Sequence, residues 1–120
     1  MLSSNQVLAV LDTTTTSNTD VVAAGMTLTP LAGTYLVWFN GSAELNQSAG
    51  TDQTFISVYS AGSQATSSEE RCLNGTNSSF PFSCMAKVTV DGTQTIEGRW
   101  RVDGGTGTMH QRSLIILRLG

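Results

Sequence analysis

His110, Cys72 and Cys84 are the side chains whose chemistry could serve a nucleophilic, acid–base or metal-binding centre in this chain. His110 is the single histidine, and no Asp or Glu flanks it in sequence. A Ser-His-Asp set tolerates any chain order, because such triads recur on unrelated folds. It still needs a positioned nucleophile, and no nucleophile-elbow pattern is present. A zinc centre takes about four Cys, His or carboxylate ligands. One histidine and two cysteines do not supply that set. A calcium loop clusters its oxygens, and no D-x-D-x-D run occurs. No glycine-rich loop leads into a helix, because no helical periodicity is evident. The reading is a non-enzyme without cofactor or metal, with His110 structural or solvated.

The cysteines leave two readings open. Alternation along the strand at 82–90 turns Cys84 inward, where a free thiol packs as a small hydrophobe. A Cys72–Cys84 disulfide would instead close and stiffen the loop from Asn74 to Phe82. Tyr35, Trp38, Tyr59 and Trp100 have the rings to stack on a sugar. Trp38 and Trp100 lie among strong apolar neighbours, which favours core or interface packing. Asn-x-Ser/Thr triplets at Asn40, Asn46, Asn74 and Asn77 are read as chance in a chain with so much Ser and Thr.

The elements that must position these groups are strands. Of the 120 residues, 17 are Thr, 14 Ser and 12 Gly, while charged residues make up only 12%. Thr favours strands and Gly punctuates turns, so the composition indicates an all-β chain. Short strands are expected at Val7–Leu11, Met26–Thr29, Thr34–Phe39, Thr54–Tyr59, Phe82–Val90, Thr95–Val102 and Thr108–Leu119. A polar loop is expected at Thr13–Asp20 and an exposed edge strand at Gln64–Arg71. Asp91-Gly92 reads as a type I′ hairpin turn. Glu97, Arg99, Arg101 and Asp103 form a solvent-facing charged row. The domain division is an N-terminal arm, residues 1–6, and one domain, residues 7–120.

Tyr35–Phe39 and Leu114–Leu117 are apolar on both faces. A sandwich strand normally has one face in the core and one in water. The second face should therefore meet another subunit, on the sheet that carries these two strands. Alternation puts Met109, Gln111, Ser113, Ile115, Leu117 and Leu119 on one face of the last strand, and the greater continuity of Ile115 and Leu117 assigns that face to the core. Tyr35, Val37, Phe39, Arg112, Leu114, Ile116 and Arg118 are then the expected interface residues. An interfacial arginine, Arg112 or Arg118, must be paired with a carboxylate of a neighbouring subunit, Glu44 or Glu97 being candidates, or with backbone carbonyls.

The net charge of −3 and the lack of a basic run argue against nucleic acid. No stretch approaches the roughly 20 apolar residues of a membrane span. Residues 1–6 carry no positive charge, and the apolar run at 7–11 is short for a signal peptide. Synthesis in a cytoplasm is the expectation.

Leu28-x-Pro30-x-x-Gly33-x-Tyr35, running into an aromatic strand, resembles the motif that opens the third strand of tumour necrosis factor-like and complement-type jelly rolls. The tail from Gly104 to Ile115 resembles the C-terminus of small tailed-phage virion proteins of that fold. The resemblance implies a jelly-roll β-sandwich of about 8–10 strands that forms a homotrimer with a terminal apolar strand at its interface. It implies a head decoration (cement) protein on the capsid surface of a virion, made in the host cytoplasm, with the major capsid protein as partner. Met1, Leu2, Ser3, Ser4, Asn5 and Gln6 are the expected capsid contacts, together with the loop at 13–20. The alternative is a receptor- or carbohydrate-binding head of a phage fibre, using the loops at 47–53 and 74–82. No stalk sequence accompanies the domain, which favours decoration.

Overall fold

A computed structural model of the chain describes residues 3–73 and 75–120. The described residues form ten strands: β1 (Ser4–Ala9), β2 (Thr13–Thr15), β3 (Val21–Leu28), β4 (Gly33–Asn46), β5 (Thr54–Ser60), β6 (Ser63–Gln64), β7 (Glu70–Cys72), β8 (Phe80–Val90), β9 (Ile96–Val102) and β10 (Thr106–Arg118). They form two antiparallel sheets. The first runs β1-β10-β4-β8, with β2 also on β10. The second runs β3-β9-β5-β6, with β7 also on β5. This is the expected all-β jelly-roll sandwich.

Alternation builds the core. In β8, Phe80, Phe82, Cys84, Ala86, Val88 and Val90 are buried, and each residue between them is exposed. β9 turns Ile96, Gly98, Trp100 and Val102 inward. Phe39 and Phe82 meet edge to face, with centroids 5.0 Å apart. Gly98 lies under Phe39 because a Cβ there would come within 2.7 Å of the ring. The sheets come close here and again at Gly107 of β10, where a Cβ would lie 2.9 Å from the Trp100 ring.

Several expected elements differ. Thr13–Thr15 is not loop but strand, paired to Gly107–Met109. β1 begins at Ser4, so Ser4, Asn5 and Gln6 pair with Leu117, Ile116 and Ile115 rather than forming a separate arm. Residues 64–71 are not one strand but β6, turns and β7. Asp91-Gly92 does not close a hairpin, because β8 and β9 lie in different sheets. Gly92 takes positive φ, and the Asp91 carboxylate caps the turn by accepting from Thr93 N and Oγ1. This loop carries the chain between layers, as does Gly104-Gly105.

Candidate functional site

β4 and β10, the two doubly apolar strands, are neighbours at the centre of the first sheet. Their outward residues line up in rows with β1 and β8. One row is Gln6, Ile115, Trp38 and Met85. The next is Ser4, Leu117, Leu36 and Lys87. A third is Leu8, Ser113, Asn40 and Ser83, in which Ser83 Oγ donates to Asn40 Oδ1 at 2.6 Å. Leu8 and Met85 are 65% and 51% exposed. The centre of this face is therefore Ile115, Leu117, Leu36 and Trp38, with a mixed rim of Ser4, Gln6, Asn40 and Lys87 beside the exposed Leu8 and Met85. Charge-poor centres with an aromatic anchor characterise association surfaces.

The expected interface set is inverted relative to this face. Tyr35, Val37, Phe39, Leu114 and Ile116 point between the sheets and belong to the core. A β-bulge between Met109 and Arg112 shifts the register of β10 against β4. Met109 and Leu114 consequently share the inner face although five residues apart. Counting straight through the bulge puts Ile115 and Leu117 inside, where they are not.

Arg112 is likewise inward, 6% exposed, and its partners are backbone carbonyls. Nε and Nη2 donate to Ala24 O at 3.0 and 2.8 Å. Nη1 donates to Leu11 O at 2.9 Å and His110 O at 2.8 Å. The guanidinium thus knits β10 to β3 and to the turn after β1. Backbone carbonyls, one of the two expected kinds of partner, thus take its donors within the chain. Burial lowers the Arg112 pKa, and Asp12 opposes that shift. Arg118 lies at the end of β10, where Nη2 donates to Ala32 O at 2.6 Å. Leu114 and Ile116, the apolar pair expected at an interface between Arg112 and Arg118, lie in the core instead.

His110 does have carboxylate neighbours. Nδ1 lies 2.9 Å from Asp12 Oδ1 and Nε2 lies 3.2 Å from Glu44 Oε1. The imidazole bridges from the turn before β2 to β4 at the position where the bulge breaks the backbone ladder. Asp12 lies 98 residues from His110, so local sequence gives no sign of it. Among the described residues its side-chain partners are these two carboxylates, so the imidazole acts as a bridge between them. Among the described residues, no set of three or more His, Cys, Asp or Glu side chains is arranged to hold a metal ion.

The outer face of the second sheet carries the charged row. Arg99 stacks over Tyr59 at 4.2 Å and Arg101 over Phe55 at 4.1 Å. Arg101 also bonds Asp20 at 2.9 Å and Glu69 at 2.6 Å. Tyr59 donates to Asp20 Oδ2 at 2.6 Å. Burial, helped by that hydrogen bond, pushes the phenol up to about 12. Arg99 and Arg101 of this row are each paired with a carboxylate, while Arg71, opposite Phe55 on the same face, is exposed. Trp100 is in the core.

At one end of the sandwich the loop at 47–53 meets the loop at 75–79. Gln47 N donates to Thr76 Oγ1 at 2.9 Å, and Asn77 N to Leu45 O at 3.1 Å. Asp52 organises the first loop by accepting from Ser48 N, Ser48 Oγ and Ala49 N. Asn74 lies outside the described residues. So do Met1 and Leu2 of the expected capsid-contact set; Ser3 is exposed, and its carbonyl accepts from Arg118 N. Cys72 and Cys84 are free thiols, the first half-buried and the second buried. Among the described residues, no helix is long and apolar enough to cross a membrane.

No family model matches the sequence, and no curated protein matches it. Solved structures do. The globular domain of a zebrafish complement 1qA protein is 13% identical with a TM-score of 0.66, over 97% of this chain and 95% of that one. The Eiger tumour necrosis factor of S. frugiperda is 11% identical with a TM-score of 0.56, over 96% and 92%. The VP2 protein of infectious bursal disease virus is 8% identical with a TM-score of 0.60, over 98% of this chain and 32% of that chain. The chain thus has the jelly-roll fold of complement 1q and tumour necrosis factor domains.

Proposed function

We propose that this chain is a structural virion protein: a homotrimer that decorates and stabilises the surface of a phage capsid, with no catalytic activity. The observation that carries self-association is the outward apolar centre formed by Leu36, Trp38, Ile115 and Leu117. A lone sandwich gains nothing by turning four such side chains to water. Three copies around one axis bury them and close the assembly without leaving a free patch. The likeness to a viral VP2 protein and the resemblance of the tail to small phage virion proteins support the capsid role.

Trimerisation leaves the outer face of the second sheet and the two ends of the sandwich open. Three identical end surfaces engaging three identical capsid sites bind by avidity, so each contact can be weak. Ser3 and the turns around β2 are the candidate capsid-facing segments. Two measurements test the reading. Sedimentation should give three times 12.7 kDa at micromolar concentration. Electron microscopy of the parent particle should show the protein in many copies at three-fold or quasi-three-fold points. A monomer in the first, or a few copies at a tail in the second, overturns it.

The second reading is a receptor- or carbohydrate-binding head on a fibre. The joining of the loops at 47–53 and 75–79 into one end surface favours it. Loop clusters on a rigid scaffold are common binding sites. Tail localisation, with glycan or cell binding lost on changes at Gln47 and Thr76, would select this reading.

A further inference from the structure

The two sheets have open edges on the same side of the sandwich. β8 is the last strand of the first sheet, and β7 is an outer strand of the second. β7 packs against β8 there. Cys72 closes β7, opposite Thr54, whose side chain lies between the sheets. Cys84 sits mid-way along β8, opposite Phe39, and points into the same interior. Cys72 packs against the core cluster to which Cys84 belongs. The Cys84 Sγ is held only by a long contact to Phe39 O at 3.8 Å.

We propose that Cys72 and Cys84 are a redox-closable clasp, joined by exchange with a small-molecule disulfide of the glutathione type so that the edge of one sheet is tied to the edge of the other. The exchange runs in two displacements. The Cys72 thiolate, the more accessible of the two, attacks the small disulfide, forms a mixed disulfide and expels one thiolate. The Cys84 thiolate then attacks the Cys72 sulfur and expels the second. Two protein thiols are oxidised to one disulfide, and one small disulfide is reduced to two thiols, with the two protein protons passing to the leaving thiolates.

Burial shapes the rate. It raises the pKa of both thiols, Cys84 up to about 12, with Glu70 adding to each shift and Cys72 to that of Cys84. Closure is therefore slow at neutral pH and accelerates as pH rises, because the thiolate is the attacking form. The clasp stays open in a reducing compartment and closes in an oxidising one. Its loop includes residues 75–79, so closure also fixes the end surface built with residues 47–53. The inference does not rest on the virion reading.

The test uses the whole folded protein with oxidised glutathione, followed by alkylation, intact mass and peptide mapping. The expected product loses two hydrogens, carries a Cys72–Cys84 linkage, and melts roughly 10 °C higher than the reduced form. C72S and C84S should each fail to lose the hydrogens and show no gain in melting temperature. C84S should instead accumulate the glutathione adduct at Cys72. Any of four results overturns the proposal: only an adduct at Cys72 in the unsubstituted protein, a chain-to-chain disulfide, no reaction without denaturant, or a closed bond that lowers the melting temperature.

Discussion

Ile115 on β10 stands directly opposite Trp38 on β4, and both side chains point out of the sandwich. One residue on, Ile116 stands opposite Val37, and both point in. Adjacent isoleucines on one strand thus serve two surfaces, which a single substitution type separates. Ile115→Asp should dissociate the assembly and leave a folded subunit, seen as a shift from trimer to monomer in sedimentation with the far-ultraviolet spectrum kept. Ile116→Asp should unfold the subunit, because an unpaired carboxylate in the core costs more than about 4 kcal/mol. If Ile115→Asp leaves assembly intact, the interface lies elsewhere.

Arg112 is the buried cation on which three separate segments converge. Its removal strands the carbonyls of Ala24, Leu11 and His110. Arg112→Met keeps the apolar length of the side chain but none of these donors. A loss of roughly 3–5 kcal/mol in denaturant unfolding is expected. Arg112→Lys should recover only part of it, since an ammonium cannot reproduce the planar fork. A loss below about 1 kcal/mol for Arg112→Met would show that the carbonyls find other partners.

The doubly apolar strands were legible because Leu36 and Trp38 interrupt the alternation of Tyr35, Val37 and Phe39 with residues equally apolar. Which face was core was not legible. Ile115 with Leu117 is as hydrophobic as Leu114 with Ile116, and the deciding feature is a bulge at 109–112 that no residue type announces. Asp91-Gly92 misled for a related reason. The dipeptide fixes local backbone, but whether the next strand pairs or crosses to the other sheet is set by packing over the whole chain. The His110 bridge was invisible because its partners arrive from β4 and from the turn before β2.

Gly98 tests the packing between layers. Its missing side chain admits the Phe39 ring, and a Cβ there would sit 2.7 Å from ring carbons. Phe39 is fixed in turn by Phe82. Gly98→Ala should therefore destabilise by about 1–3 kcal/mol despite its small size and despite the better strand propensity of alanine. The pair Gly98→Ala with Phe39→Leu should be less destabilised than the sum of the single changes. Additive losses in denaturant melts would show that the contact is not the cause.

Asp52 gives the fold a pH dependence with a definite sign. Ala49 N–H, the Ser48 hydroxyl and Ser48 N–H all donate to its carboxylate, and they hold its pKa below the usual 3.8 against the opposing effect of burial. Gly104 packs over the same carboxylate so closely that a Cβ would meet it at 2.5 Å. The folded state therefore binds this proton more weakly than the unfolded chain does. By linkage, the stabilisation is fully present above the unfolded value near 3.8 and is lost as pH falls through the lower folded value. Asp52→Asn keeps the shape and one acceptor but removes the charge. Its melting temperature should lie below that of the unsubstituted protein at pH above about 5, and the gap should narrow as the pH falls through about 4 and below. The comparison is made by thermal melts at stepped pH on both proteins. A gap that stays constant, or that widens toward acid, would mean that the loop at 47–53 is held by hydrogen-bond geometry alone and not by the ionised carboxylate.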